Sequence, residues 1–593
     1  MNKTRAVGLV KAFLTAFAFL AVFHPPLISA YYETKIDYII ASIYELLGNY
    51  DFVFVVLLVV CCFFYSKVSV GKGYGILSIF FSFCILLGRS YHEVGNWSYC
   101  FGSVVNFTKF VLALAGYAVF FQSIMYLLAD VIRKKSFISD KQNFFHKNGF
   151  LKAFLVLVAG YAPFLLLSYP GNLCWDVIGQ IEQVIFQTGY STHHPLVHTL
   201  MVGGITQLGM SLFGSYEIGL FAYVWLQTFL LAAAFAFTID VLAKRRLDSK
   251  ILWGILVLYL VTPIYSNLTS TAVKDVPFTA FVIGYFVCYG LILETPSLLK
   301  NMKFVSVFVL LQIAVILFRN NGMPLVLLSG LGAILFTWKK YVGKDRIKSI
   351  LVYVGVSVVI GSVTMNLLSG ALDAAKGSKG EILSIFFQQT ARYLQVYQND
   401  LSLEEKEAIE AVLGNVSQIA DSYNPDISDP VKASYKKDAT TGQLISYLMT
   451  WFKCFFKHPA VYFEAFFAHV YGWFTPTVDN VIRYETPYDV IYQGGLFKDA
   501  NKVLIFIYRF ANRFEPLGIL ENVGMAVWTL FFFTNYQRRE GRKHYMVATL
   551  PLWVCLLICM ASPCFFGHPR YALPIMACLP FLYGLYFSGK EVS

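Results

Sequence analysis

The sequence predicts an all-α, polytopic membrane protein, and three observations carry that prediction. The chain of 593 residues is 57% hydrophobic and only 14% charged, with a mean hydropathy of +0.60. Its apolar runs repeatedly reach the length of a bilayer core. They also lack the apolar–polar alternation of barrel strands, so backbone groups inside hydrocarbon have to be satisfied within helices. This composition excludes a soluble protein.

The candidate spans, in order, are roughly 8–28, 51–66, 73–89, 103–130, 150–168, 216–243, 250–265, 276–293, 303–318, 322–338, 348–369, 516–535, 545–562 and 571–588, about fourteen transmembrane helices. They divide the chain into an N-terminal four-helix membrane region (1–140), a membrane core (141–369) with a first external loop at 169–215, an extracytoplasmic and interfacial helical segment (370–515), and C-terminal transmembrane helices (516–593). Lys3, Arg5 and Lys11 precede an apolar stretch that ends in PPLISA. It reads as an uncleaved first span; a signal peptide cut after Ala30 would leave the following residues on the same side.

Orientation follows from the basic loops. With the N-terminus inside, Arg133-Lys134-Lys135, Lys244-Arg245-Arg246, Lys339-Lys340 with Arg346, and Arg538-Arg539 with Arg542-Lys543 all fall on the cytoplasmic side. One run must not cross for this to hold: PLVHTLMVGGITQLGMSLFG, residues 195–214, is expected to lie along or dip into the outer surface. The net charge of +12 therefore reflects topology and implies no nucleic-acid partner. The eleven cysteines, among them Cys61, Cys62, Cys84 and Cys288, lie mostly in or beside apolar runs without CxxC spacing and read as small core residues.

Polar residues concentrate in the outer loops. PGNLCWDVIGQIEQ and the following VIFQTGYSTHHPLVHT carry Asp176, Glu182, His193, His194 and His198. Other outer helix ends carry Lys274-Asp275, Arg319-Asn320-Asn321, and His568, Arg570 and Tyr571. The stretch from about 370 to 500 is the one able to form a small aqueous domain. In it EILSIFFQQTARYLQVYQ reads as an amphipathic helix, Ser402 and Glu405 as a capping box with Gly414 as the stop, and YNPDISDPVK as a loop. WFKCFFKHPAVYFEAFFAHVYGWF reads as an interfacial helical hairpin. No internal repeat is evident.

A carboxylate at a membrane interface with Lys or Arg opposite suits the transfer of a sugar from a polyprenyl phosphate. The guanidinium and ammonium groups match the leaving phosphate, and the carboxylate takes the proton of the attacking hydroxyl. Asp176 is the expected base; Arg319, Arg570 and Lys274 are the expected phosphate contacts.

The same residues resemble the membrane-embedded glycosyltransferases of the GT-C fold, especially the protein O-mannosyltransferase and aminoarabinose transferase branch. The resemblance rests on Asp176 in the first external loop, His194-Pro195-Leu196, Leu212-Phe213-Gly214, Arg245-Arg246 and Arg570-Tyr571-Ala572-Leu573-Pro574, over roughly 150–590. The chain is also similar to bacterial multi-span proteins that share the stretches seen here as Gln388-Gln389-Thr390-Ala391-Arg392 and Ser428-Asp429-Pro430-Val431-Lys432. The GT-C resemblance implies a GT-C-like helical core, a first-loop acid acting as base, and polyprenyl-linked sugar donors. By it the role of base passes to Asp176, although Val177 stands where those families show a second acid.

Bland alternatives remain beside these expectations. Glu182 lies nearly two turns beyond Asp176 and fits a structural or acceptor-orienting role. His194 and His198 are one turn apart, but Pro195 disfavours helix at His194; a divalent ion would take the form of a site shared by Asp176 and a histidine. The cations also fit simple snorkelling to headgroups, and Asp429 and Lys432 are candidates for acceptor-side contacts. The expected partners are a polyprenyl-phosphate-linked sugar donor, an extracytoplasmic glycan, lipid or protein acceptor, and membrane lipids, with the active face of a multi-pass cell-membrane protein turned outward. Rival readings are a transporter or lipid-carrier flippase, a polysaccharide polymerase or ligase, and a scaffold without chemistry.

Overall fold

The computed structural model describes residues 3–22, 50–68, 71, 73–135, 137–139, 144–337, 344–476, 506–507, 510, 515–562 and 568–588. PPLISA, Lys339, Lys340 and much of 477–514 lie outside them. The described chain is nearly all α-helix. Nine of its helices, or ten with one bent pair counted as a span, are long and apolar enough to cross a membrane. This is short of the fourteen expected. Ala6–Leu20, Val53–Lys67, Met302–Phe318 and Gly322–Leu335 are apolar but shorter.

The chain forms two compact units. The first comprises Met1–Lys135, Tyr471–Val478 and Phe531–Tyr536. Its main helices are α1 (Lys3–Val22), α2 (Tyr50–Lys67), α3 (Gly75–Val94) and α4 (Val104–Lys134). Thr15 on α1 meets Tyr65 Oη on α2 at 2.8 Å and donates to the Gly116 carbonyl of α4 at 3.4 Å. This close approach needs glycine, because a Cβ at residue 116 would lie 2.0 Å from the Leu14 carbonyl oxygen. Phe19 packs edge-on against Tyr117 and Phe120.

The second unit comprises Ser136–Val470, Asp479–Leu530 and Gln537–Ser593. It begins with α5 (Gly149–Leu167), strand β1 (Asn172–Leu173), α6 (Trp175–Ile185), α7 (Leu196–Phe213) and the long α8 (Tyr216–Lys244). Then come α9 (Ser249–Val261), α10 (Pro263–Thr269), β2 (Thr271–Ala272), α11 (Asp275–Glu294), α12 (Met302–Phe318), α13 (Gly322–Thr337) and α14 (Lys344–Ala371). Pro263 has no N–H to continue the helix, so the span expected to run straight through 250–265 bends by 53° between α9 and α10. A helical module follows, α15 (Ser384–Tyr397) to α20 (Pro459–Val470), with α16 (Leu403–Leu413), α17 (Val416–Ser422), α18 (Asp429–Ala433) and α19 (Thr441–Lys457) between them. The chain closes with α21 (Glu515–Glu521), α22 (Val523–Arg539), α23 (Lys543–Ala548), α24 (Leu550–Ala561) and α25 (Pro569–Ser588).

Helix α5 runs antiparallel to α8. The Phe150 N–H donates to Asp240 Oδ1 at 3.2 Å near one end, and the Tyr169 ring meets Phe221 at 4.9 Å near the other. The first of these ends is basic. Lys244 pairs with Asp240 at 2.6 Å, Arg245 with Glu294, and Tyr545 Oη donates to Glu294 at 2.9 Å. Arg542 lies over the Tyr586 ring at 5.3 Å.

The run 195–214, expected to stay at the outer surface, forms α7, which by length and hydropathy qualifies as a span. A Cβ at Gly209 would lie 2.3 Å from the Gly219 nitrogen, so backbone meets backbone there. Further along α7, His198 meets Tyr223 Oη of α8 at 2.6 Å.

In the module, Phe387, Leu394, Ile409, Val412 and Tyr447 form a buried core. The Ser402 and Glu405 capping box is present, and Gly414 at φ +89° ends α16. The aromatic hairpin sequence forms α19 and α20, separated by a break at His458.

Candidate functional site

Two residues of parallel sheet build the site. Asn172 and Leu173 of β1 pair with Thr271 and Ala272 of β2. Each strand leads within three residues into a helix that begins with an acid, Asp176 on α6 and Asp275 on α11. The pairing therefore sets Trp175-Asp176 beside Lys274-Asp275. Gly171 feeds β1 at φ +118°, where a Cβ would lie 2.6 Å from Val224; only glycine takes both the torsion and the space without strain. The β2 loop is fixed from α8 by buried Gln227, whose Nε2 donates to the carbonyls of Thr269 and Thr271, each at 2.8 Å.

Charged side chains converge on this clip. Lys274 Nζ donates to Asp176 Oδ2 and to His194 Nδ1, both at 3.0 Å. Arg570, from the start of α25, reaches Asp176 Oδ2 through Nη2 at 3.4 Å and donates to Cys174 Sγ at 2.6 Å and Tyr571 Oη at 2.8 Å. Behind them Asp275, with none of its side chain exposed, pairs with Arg319 Nη1 at 2.7 Å and Arg570 Nε at 3.4 Å. Neither of these contacts is aligned as a hydrogen bond, so Asp275 acts as a bare counter-ion. Asp176 is the open member of the pair, with 30% of its side chain exposed.

The electrostatics follow from that packing. Burial alone would raise the Asp176 carboxyl, but the neighbouring Lys274 and Arg570 override it and hold the group well below the usual carboxylate range. Burial, with Lys274 adding to it, depresses His194 to about 3, so its ring is neutral near pH 7. The Arg570 N–H donates to His568 Nδ1, which leaves that nitrogen unprotonated. Three cations then face two carboxylates, an excess of one positive charge in a largely enclosed site.

Of the residues singled out in the sequence, Asp176, His194, Lys274, Asp275, Arg319, Arg570 and Tyr571 are thus brought together. His193 stacks edge-on against His194 at 4.4 Å between ring centroids, and Asn320 Nδ2 donates to the His193 carbonyl at 3.1 Å. Glu182 lies about 9 Å further along the α6 axis than Asp176, away from the charged layer. Asp429 and Lys432 pair with each other at 2.7 Å inside the module, where Lys432 also meets Glu381. Among the described residues no group of three His, Cys, Asp or Glu could hold a metal ion. Between Asp176 and His194, where a shared ion was weighed, stands the Lys274 ammonium.

Sequence reasoning named His198 only as a metal-ligand alternative and missed Gln180, Thr199 and Tyr223 around it. His198 is fully buried and meets Gln180 Oε1 at 3.0 Å and Tyr223 Oη at 2.6 Å, while Gln180 Nε2 donates to Thr199 Oγ1 at 3.0 Å. Gln180 stands four residues from Asp176, one turn further along α6, whereas His194 lies outside α7, before the extended Pro195 cap. The spacing of Gln180 from Asp176 was the available signal. Cys174 gave none. Beside Arg319 and Tyr571 a narrow cleft of about 20 Å³ runs between Phe278, Leu325, Ile558 and Pro574, room for about one water molecule.

Fold and site together define a helical protein with the long apolar helices of a multi-pass membrane protein and an enclosed charged cluster at one end of its larger unit. The chain belongs to DUF6020, a family of unknown function, whose pattern matches residues 185–591. That match includes Lys274, Asp275, Arg319 and Arg570 and begins just after Asp176. No curated protein and no solved structure matches the chain.

Proposed function

We propose that this protein is an integral membrane glycosyltransferase of GT-C type, moving a sugar from a polyprenyl-phosphate carrier to an extracytoplasmic cell-envelope acceptor. The observation that carries the reading is the contact of one part-open carboxylate, Asp176, with Lys274 and Arg570 in a cluster one positive charge in excess. Such a site attracts an anion and keeps a base beside it. The basic residues Lys244, Arg245 and Arg542 at the other end of the unit support an outward-facing site by the positive-inside rule.

In this mechanism the cations change partners. Lys274 and Arg570 turn from Asp176 to the donor phosphate, and Asp176 recovers its basicity as they leave. The acceptor hydroxyl oxygen attacks the anomeric carbon, its proton passes to Asp176, and the carbon–oxygen bond to phosphate breaks. The electron pair leaves with the lipid phosphate, now held by the two cations, and the anomeric centre inverts. Arg319 and Asp275 keep Arg570 in place, and His194, neutral, accepts from Lys274 and orients it. The narrow cleft beside Arg319 has to widen for a donor to bind. The test is transfer of radiolabelled sugar from polyprenyl-phosphate donors by the purified protein in lipid nanodiscs; wild-type rates in Asp176→Asn would refute the assignment of the base.

A transporter reading has one observation in its favour. The bend at Thr262 and the buried Glu521 near it are features of discontinuous transport helices. Lipid-carrier flux across proteoliposomes without sugar transfer would select it.

A further inference from the structure

The helical module carries an apolar surface that is left uncovered. On α19, Ile445, Met449, Phe452 and Phe456 succeed one another at steps of four, three and four, which is one stripe of a helix. They are 58, 59, 52 and 68% exposed, and Phe463 at the start of α20 is 53% exposed. The opposite arc, with Tyr447, Thr450 and Cys454, is buried. The helix is thus apolar on two sides and uses only one for its core. The five exposed side chains present on the order of 600 Å² of apolar surface, at the top of the range of a few hundred Å² found on soluble monomers.

Two further observations select the occupant. Thr441–Lys457 contains no Asp or Glu, and Lys453 stands exposed at the edge of the stripe, where the cation of an interfacial helix reaches headgroup phosphates. At the far end of α20 the His469 Nε2–H donates to the Ser562 carbonyl at 2.9 Å. Ser562 directly follows the apolar helix Lys543–Ala561, long enough to cross a bilayer. The hairpin is thereby tied to the level at which that helix leaves hydrocarbon.

We propose that the exposed face of α19 and the start of α20 is a lipid-docking surface, immersed at the headgroup–acyl boundary of the leaflet on the site's side. The module then rests on the bilayer. Gln389 Nε2, donating to the Tyr462 carbonyl at 3.2 Å, and the Arg392–Glu464 pair at 3.1 Å carry the hairpin's position to α15. The segment that enters the module is stitched to the histidine loop by the Ala375 N–H to the Tyr190 carbonyl at 2.8 Å and the Gly377 N–H to Thr192 Oγ1 at 3.0 Å. Docking therefore sets the pose of the module over the site. It does not depend on the transfer reaction.

The test places a diazirine-bearing amino acid at Phe452, Phe456 or Gln443 of the full-length protein in nanodiscs of phosphatidylethanolamine and phosphatidylglycerol, followed by irradiation and mass spectrometry. Phospholipid adducts at 452 and 456 should exceed those at 443 several-fold. Adducts of water, or of another protein when native membranes are irradiated, would overturn the proposal. Phe452→Glu leaves the module's core untouched and should cut lipid adducts at 456 several-fold; unchanged adducts would also overturn it.

Discussion

Asp176→Asn should move donor affinity and transfer rate in opposite directions. In the proposed mechanism the wild-type carboxylate, which lies 3.0 Å from Lys274 and 3.4 Å from Arg570, competes with the donor phosphate for both cations. Each pair is charge-assisted, but Asp176 is 30% exposed, so each is worth about 1 kcal/mol after solvent screening. Removing the charge frees both cations, and about 2 kcal/mol corresponds to donor binding roughly 30-fold tighter. Loss of the base lowers transfer by about 10²- to 10⁴-fold over the same substitution. Scintillation proximity binding of a polyprenyl-phosphate sugar to the nanodisc-embedded variant reads the first quantity, and single-turnover transfer reads the second. A general loss of fold lowers both. Weaker donor binding in Asp176→Asn, with the thermal midpoint unchanged, would refute the exchange of cations between carboxylate and phosphate.

Three further outcomes follow from the packing around the site. Tyr223→Phe strands the buried His198 Nε2 and should cost about 1–3 kcal/mol of stability, measured as a fall in Tm in detergent; His198→Leu combined with Tyr223→Phe should recover part of it. Gly209→Ala drives a methyl to 2.3 Å from the Gly219 backbone, and should lower Tm by more than Gly204→Ala, where the space is open. His194, with its folded pKa depressed to about 3, is neutral where the unfolded residue is charged. Stability should therefore fall as pH drops below the unfolded value of 6.5 towards about 3, and His194→Gln should flatten that part of a Tm–pH profile.

The parts of this fold written in local chemistry were legible. Apolar runs read as helices because a backbone in hydrocarbon has no other way to satisfy itself, and the box at Ser402 and Glu405 is spelled within four residues. The charged residues stood out because so little else in the chain is polar. What was not legible depends on contacts far apart in sequence. The pairing of Asn172 with Thr271 spans two residues on each side and leaves no periodic signal. Gln227 looks like an ordinary polar residue in an apolar run until its carbonyl partners are known. Pro263 was visible, yet the bend it makes was absorbed into a straight span. Among the described residues nine or ten helices reach a bilayer's width, and four further apolar helices are shorter than that.

The two-residue clip divides the site into parts that are held differently. Asp176 and Lys274 are held by main-chain bonds, so whatever shifts one carries the other with it. Arg570 arrives on a helix of its own and is joined to them by side chains alone. The register of Asp176 with Lys274 therefore rests on the main chain, whereas the place of Arg570 rests on how α25 packs.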